Sequence, residues 1–195
     1  MFLQKKEQIR QNILSIRNNL SKSIRSDMEK SLANRFNQFI LPLFKDKKAI
    51  AAYYPFGTEI DILSILANIS TKLLLPVIDS PGKPLKFYSW LPGDELCSSK
   101  YAKNILEPFD KKGEKLPDVV IAPLIACDLL GNRIGSGRAM YDITISSLRR
   151  QNPKLIFIGI CYDFQLIDPL PTEVHDQKLD IILTELRIAT PNPSL

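Results

Sequence analysis

Residues 118–150 carry the feature that most limits what this chain can fold into. Val119, Val120 and Ile121 form a β-branched run suited to a buried strand, and Pro123 ends it. A stretch punctuated by Gly131, Gly135 and Gly137 follows, and apolar residues then resume at helical spacing. Strand, loop and helix in that order predict a loop that can hold an anion. Glycines let backbone N–H groups come close, and the next helix adds unpaired N–H groups and the positive end of its dipole. Arg133 and Arg138 bring full charges to the same loop. The glycines lack Walker spacing and no lysine-hydroxyl pair closes the stretch, so neither nucleotide fingerprint is matched. On spacing alone they describe plain turns equally well.

The segments on either side extend the alternation of helix and strand. From Lys5 to Leu20, Ile9, Ile13, Ile16 and Leu20 recur every three or four positions, which predicts an amphipathic helix with a basic outer face. Ser21 and Ser23 offer caps for a second helix to about Phe44, with Met28, Leu32, Phe36 and Phe39 as its buried stripe. Ala49–Tyr54 reads as a buried strand ended by Pro55 and Gly57, and a further helix is expected near Glu59, capped by Thr58, with Glu59 and Asp61 in its first turn. Lys72–Pro76, Leu85–Trp90 (near a sheet edge), Leu155–Cys161 and Ile181–Thr184 complete the strands, and a tail mobile from Pro191 is expected. Strands alternating with helices imply parallel pairing with right-handed crossovers, so the fold class is α/β. Sites in such sheets lie beyond the carboxyl ends of the strands, where Tyr54, residues 133–142 and the segment after Cys161 should meet.

Composition narrows the class. With 195 residues and 45% hydrophobic content the chain can bury a proper core, and residues 1–195 read as one domain. Lys+Arg 26 against Asp+Glu 21 gives a formal net charge of +5, spread along the chain, so anionic small molecules are favoured and no nucleic-acid partner is expected. Cys97, Cys127 and Cys161 lack paired spacing, which argues against a disulfide framework or a zinc site and fits a reducing cytoplasm. Cys127 reads as small core and Trp90 as structural. No apolar run is long enough to cross a bilayer, so no membrane association is expected.

Several polar residues admit two readings on pattern alone. Lys6 and Arg10, one turn apart, are either a solvated face or a pair reaching an anion. Asp142 is either a first-turn helix acid or a metal ligand, and Asp176 either a loop acid or a second ligand. His175, the one histidine, has no sequence neighbour that marks it as an acid or base and is assigned a supporting role beside Asp176.

The pattern P-x-x-x-x-D-x-x-G-x-R-x-G-x-G-x-x-x-Y-D of residues 123–142 is similar to the signature of the 5-formyltetrahydrofolate cyclo-ligase family. The order of the other elements resembles that family over nearly the whole chain. These include the basic K-x-x-x-R helix, Y-Y-P-F-G-T-E-I-D, Ile105-Leu106-Glu107-Pro108 and P-T-E-V-H-D. The resemblance implies a three-layer, Rossmann-like α/β/α fold of the CoA-transferase-like kind with a largely parallel central sheet. It also implies cyclisation of 5-formyltetrahydrofolate, polyglutamylated forms included, to 5,10-methenyltetrahydrofolate with ATP and Mg²⁺, in a cytoplasmic monomer. Residue by residue it implies ATP binding by Lys6, Arg10, Arg133, Ile134, Gly135, Ser136, Gly137, Arg138, Ala139, Met140 and Tyr141. Folate binding would fall to Tyr54, Glu59 and Ser136 to Met140, metal binding to Asp142 and Asp176, and catalysis to Arg133 and Arg138. A carboxylate at position 59 suits a pterin because its two oxygens can accept from adjacent ring N–H and amino donors. The chain departs from the family's usual loop at Ala139, Met140 and Ile143, where glycine, an aromatic residue and a basic residue are common. These departures leave a weakly active or purely binding homologue as the alternative.

Overall fold

The computed structural model describes residues 2–67, 69 and 71–191; the tail beyond Pro191 lies outside the described residues. In chain order the first elements are α1 (Phe2–Asn19), α2 (Lys22–Arg35), β1 (Ala49–Ala51), α3 (Ile62–Leu66), β2 (Lys72–Val77), β3 (Lys86–Ser89), β4 (Leu96–Ser99) and β5 (Ala102–Pro108). There follow β6 (Val119–Ala122), β7 (Ala126–Cys127), β8 (Arg133–Ile134), α4 (Met140–Gln151), β9 (Ile156–Ile160), β10 (Ile181–Leu183) and β11 (Ile188–Ala189). The main sheet has the order β11-β10-β9-β6-β1-β2-β3, with β10, β9, β6, β1 and β2 parallel and the edge strands β11 and β3 antiparallel. β4 and β5 form a separate hairpin, and β7 and β8 a short ribbon.

Period-two alternation places helices on both faces. Ile50, Val119, Ile121, Ile156, Ile158 and Ile160 pack with Leu32 of α2 and with Ile62 and Leu66 of α3. Ala51, Val120, Ala122 and Phe157 turn to the other face, against Ile145 and Leu148 of α4. The result is the expected three-layer α/β/α arrangement.

Three local expectations are corrected. Ser21 caps α2 as predicted, its Oγ accepting from Ile24 N–H at 3.2 Å. The helix then widens into a π turn at Phe36–Ile40 and tightens into a 3₁₀ turn at Leu41–Phe44. Pro42 lacks the N–H that an α ladder would need there, and the change of pitch rephases the stripe. Ile40 and Phe44 are buried, while Phe39 is exposed beneath the Arg35 guanidinium, 5.5 Å from its ring centre. α3 begins at Ile62 with Asp61, not Thr58, as its cap: the Asp61 carboxylate accepts from Ser64 N–H at 3.2 Å. Thr58 and Glu59 are thereby left in the loop before the helix. Finally, α1 does not turn its basic side outward. Ile13 docks with Ala126, Ile134 and Leu170, Lys6 and Arg17 on the same side are 6% and 7% exposed, and Ile16 is exposed.

Buried Asp128 organises the glycine segment. Its carboxylate accepts from the N–H groups of Leu130 (3.0 Å), Asn132 (2.9 Å) and Leu170 (3.2 Å), and from Asn132 Nδ2 (2.8 Å). Inside that turn Gly131 has φ +85°, and a Cβ there would stand 2.6 Å from the Leu179 carbonyl oxygen. Cys127 and Cys161 are buried free thiols with sulfurs 3.5 Å apart. Among the described residues no helix is long and apolar enough to cross a membrane.

Two backbone positions give opposite expectations. Gly131→Ala adds left-handed strain of about 1–2 kcal/mol to a clash with a fixed carbonyl worth about 1–3 kcal/mol. A clear fall in the urea midpoint with an unchanged slope is expected. Ala139 precedes α4 at φ 51°, ψ 10°, exposed and without a side-chain cap. Ala139→Gly removes that left-handed cost against a smaller loss to chain entropy, so a gain of about 0.5–1 kcal/mol is expected in the same measurement.

Candidate active site

A cavity of about 760 Å³ opens beyond the carboxyl ends of β1 and β6. Its walls come from α1, the loop after β1, β2, β5, the segment from Pro123 through the start of α4, and residues 173–176. Parallel strands deliver their following loops to one side of the sheet, so segments far apart in sequence meet there.

α1 lies along the cavity with Lys6, Arg10 and Arg17 on the face turned into it. At 1.5 Å per residue, Lys6 and Arg17 are roughly 16 Å apart along the axis, long enough to serve two ends of an extended ligand. At the first end, Lys6 Nζ donates to Glu173 Oε2 and Asp176 Oδ2, both at 2.8 Å. Burial alone would lower the pKa of this ammonium, but the two carboxylates outweigh it and raise it, so Lys6 stays charged. Arg10 Nε donates to the Gly135 carbonyl at 2.8 Å and fastens the glycine loop to α1.

Arg133, in β8, is buried with its guanidinium 5.3 Å from the Phe157 ring centre. Its NH2 donates to Asp142 Oδ1 at 3.0 Å, and the same oxygen accepts from Gln177 N–H at 3.0 Å. Burial lowers the Arg133 pKa, and the Asp142 carboxylate opposes that shift. Ser136, Gly137, Arg138 and Ala139 form an exposed rim, and α4 starts at Met140 immediately behind it. The first N–H groups of α4 have no intrahelical acceptor and form the positive end of its dipole.

At the second end, Glu59 Oε2 accepts from Phe56 N–H at 3.0 Å. Burial pushes the Glu59 carboxyl above the usual carboxylate range, while the Phe56 N–H and the Arg17 charge pull it back. Arg17 Nε donates to Thr58 Oγ1 at 3.1 Å, and Thr58 Oγ1 donates to Asn18 Oδ1 at 2.7 Å. Tyr54 and Phe56 stand half open at the mouth, and Pro76, Ile78, Leu85, Ile105 and Leu106 supply an apolar wall.

Every site residue expected from sequence lines this one cavity: Lys6, Arg10, Tyr54, Glu59, the run Arg133 to Asp142, and Asp176. Sequence reading missed Arg17, Thr58 and Glu173 as lining residues, and treated Ile105 and Leu106 only as an architectural marker. Arg17 had a usable signal, since positions 6, 10 and 17 share one helical face with Ile13. Glu173 had none, because its partner Lys6 is 167 residues away. Glu173, His175 and Asp176 bring their ligand atoms within 4.8 Å of one another, although the His175 side chain is 64% exposed.

A model of the 5-formyltetrahydrofolate cyclo-ligase family matches residues 3–185. A Haemophilus influenzae protein named 5-formyltetrahydrofolate cyclo-ligase is 33% identical over 94% of this chain and 99% of its own length. A Mycolicibacterium smegmatis protein of the same name is 28% identical over 93% and 94%. The NMR structure of Aquifex aeolicus 5,10-methenyltetrahydrofolate synthetase has a TM-score of 0.77 at 25% identity, covering 96% of this chain and 93% of that one. A Mycoplasma pneumoniae 5,10-methenyltetrahydrofolate synthetase shares the fold with a TM-score of 0.68 at 24% identity, covering 92% and 98%. Matched along nearly its whole length, and by a relative of almost equal extent, this chain belongs to the 5-formyltetrahydrofolate cyclo-ligase family.

Proposed function

We propose that this protein cyclises 5-formyltetrahydrofolate to 5,10-methenyltetrahydrofolate, with ATP cleaved to ADP and phosphate. The observation that carries the reading is that one cavity joins a cation-rich glycine loop to the half-buried Glu59 carboxylate and an apolar wall. The formyl oxygen is a poor leaving group. Its attack on the γ-phosphorus releases ADP and makes it a phosphate ester; N10 then attacks the formyl carbon, phosphate leaves with that oxygen, and the N10 proton passes to solvent. No protein nucleophile is needed, so catalysis consists of positioning and charge stabilisation.

The residues present fit a nucleotide triphosphate. Arg133 Nε is buried without a hydrogen-bond partner among the described residues, at a cost of about 1–3 kcal/mol that an anionic acceptor would recover. Lys6, Arg10, Arg133 and Arg138, with the N–H groups of residues 134–141, form the phosphate cradle, and Arg133 and Arg138 face the charge that develops on transfer. Glu59 accepts from the pterin, and Tyr54 and Met140 give it apolar contact. Asp142 and Asp176 line the same cavity, and Glu173 lies beside Asp176; hard carboxylate oxygens of this kind suit magnesium, which prefers a few such ligands plus phosphate oxygens. When bound, the ion would neutralise phosphate charge. Lys6 meanwhile holds Asp176 and Glu173 in place.

Ala139 supports the second reading, a protein that binds both ligands without turnover, because it takes a left-handed backbone at the phosphate rim without being glycine. One assay separates the two: purified protein with MgATP and 5-formyltetrahydrofolate should release ADP and develop the absorbance of the conjugated methenyl product. Binding of both ligands with no product would establish the second reading instead.

Asp142→Asn is expected to lower kcat at least about 10²-fold and to raise the magnesium concentration needed for half-maximal rate. It also leaves buried Arg133 without its counter-ion, so a stability loss of about 1–3 kcal/mol is expected in thermal unfolding. Undiminished turnover would remove Asp142 from the reacting site.

A further inference from the structure

The Glu59 end of the cavity holds an arginine that the proposed chemistry does not use. Arg17 is 7% exposed, and its Nε–H is committed to Thr58 Oγ1 at 3.1 Å. Thr58 in turn donates to Asn18 at 2.7 Å, so two consecutive residues of α1 grip the residue before Glu59. No ion pair among the described residues joins Arg17 to Glu59. The guanidinium acts through its charge and through Thr58. Its charge favours the ionised form of Glu59.

The other groups facing Glu59 are phenols. Tyr53, on the segment after β1, donates its hydroxyl to the Ile60 carbonyl at 3.1 Å, and Tyr141 comes from the first turn of α4. Burial pushes both far above the ordinary tyrosine range, so neither is charged at neutral pH. Tyr162 and Arg25 also act electrostatically on Arg17. Glu59 itself has only the Phe56 N–H and the Arg17 charge to offset its desolvation.

We infer that Arg17 is a positioning residue for the folate: it pins the Thr58–Glu59 segment to α1 and holds the Glu59 carboxylate in the two-acceptor form that the pterin's paired N–H donors require. This rests on the cyclo-ligase reading above. A carboxylate accepts through both oxygens, whereas the protonated acid turns one of them into a donor that opposes the pterin amino group. Loss of the guanidinium charge would raise the Glu59 pKa further, because burial would then be opposed by one N–H alone. Below its pKa Glu59 is neutral, so kcat/KM for folate falls as pH falls through that value, and the fall begins at higher pH without Arg17.

The test is the pH profile of kcat/KM for 5-formyltetrahydrofolate, which reports groups titrating in the free protein. Glu59→Gln should abolish the acidic limb of the parental profile. Arg17→Gln should move that limb up by about one pH unit and raise KM for folate about 10–100-fold, with kcat and KM for ATP changed less than about threefold. Arg17→Lys keeps the charge and should leave the limb in place. Where Arg17→Gln does not fold, Thr58→Val carries the test, with KM for folate raised several-fold and the limb unmoved; an unchanged KM overturns the inference. A limb that stays put in folded Arg17→Gln, or an equal rise in KM for ATP, also overturns it. Parental protein that releases no ADP on addition of folate defeats the cyclo-ligase reading and this inference together, whereas an active parent with an unmoved limb defeats this inference alone.

Discussion

The ammonium of Lys6, held at 2.8 Å from both Glu173 and Asp176, closes the site. A buried cation is tolerated only when paired and hydrogen-bonded, since its desolvation costs several kcal/mol. The pairing therefore fixes the first helix of the chain against its last functional loop. Neither segment belongs to the central sheet, and each forms a wall that the other completes. Arg10 repeats the device one turn later on the Gly135 carbonyl, and Arg17 repeats it further along on Thr58. α1 is thus held chiefly by polar contacts, with Ile13 as its one fully buried apolar anchor among the described residues.

That arrangement depends on the rigidity of what lies beneath it. β7, β8 and the turn between them are too short to be stable alone. The carboxylate of Asp128 supplies the missing order by taking three backbone N–H groups and the Asn132 amide, including the N–H of Leu170 from the segment that leads to Glu173. A charged acceptor satisfied by several donors is a strong fixture in a dry interior. The motif's first acid is therefore a scaffold for the loop, while its last acid, Asp142, faces the cavity and balances Arg133.

The parts of this structure written in local pattern were legible in the sequence. The apolar, largely β-branched runs of residues 119–122 and 156–160, the glycine loop and the helix after it all follow from composition, period and turn chemistry. What could not be read has identifiable causes. The inward turn of Lys6 and Arg17 inverts the usual rule that a helix buries its apolar side, because the surface it covers is a charged cavity and not a core. Phe39 lost its buried place to Ile40 through the pitch change at Pro42, which periodicity does not record. β11 and the β7–β8 ribbon are two-residue strands, shorter than any alternation that could reveal them. Pairings such as Lys6 with Glu173 exist only once the sheet has brought both ends of the chain to the same side.

The departures from the family's loop look different once their neighbours are known. Ile143 removes a basic side chain beside Asp142, yet Asp142 takes its charge partner from Arg133 and a second donor from Gln177 N–H, so the acid is balanced without help from position 143. Ala139 takes a left-handed backbone at an exposed rim, at the intrinsic cost of that conformation for a residue with a Cβ. Met140 puts a flexible thioether on the wall where an aromatic ring is usual, and packs its stem with the cluster under α4. The charge balance at Asp142 thus survives the change at position 143. Under the proposed function, what these changes alter is the shape of the wall offered to the pterin rather than the charges offered to the phosphates.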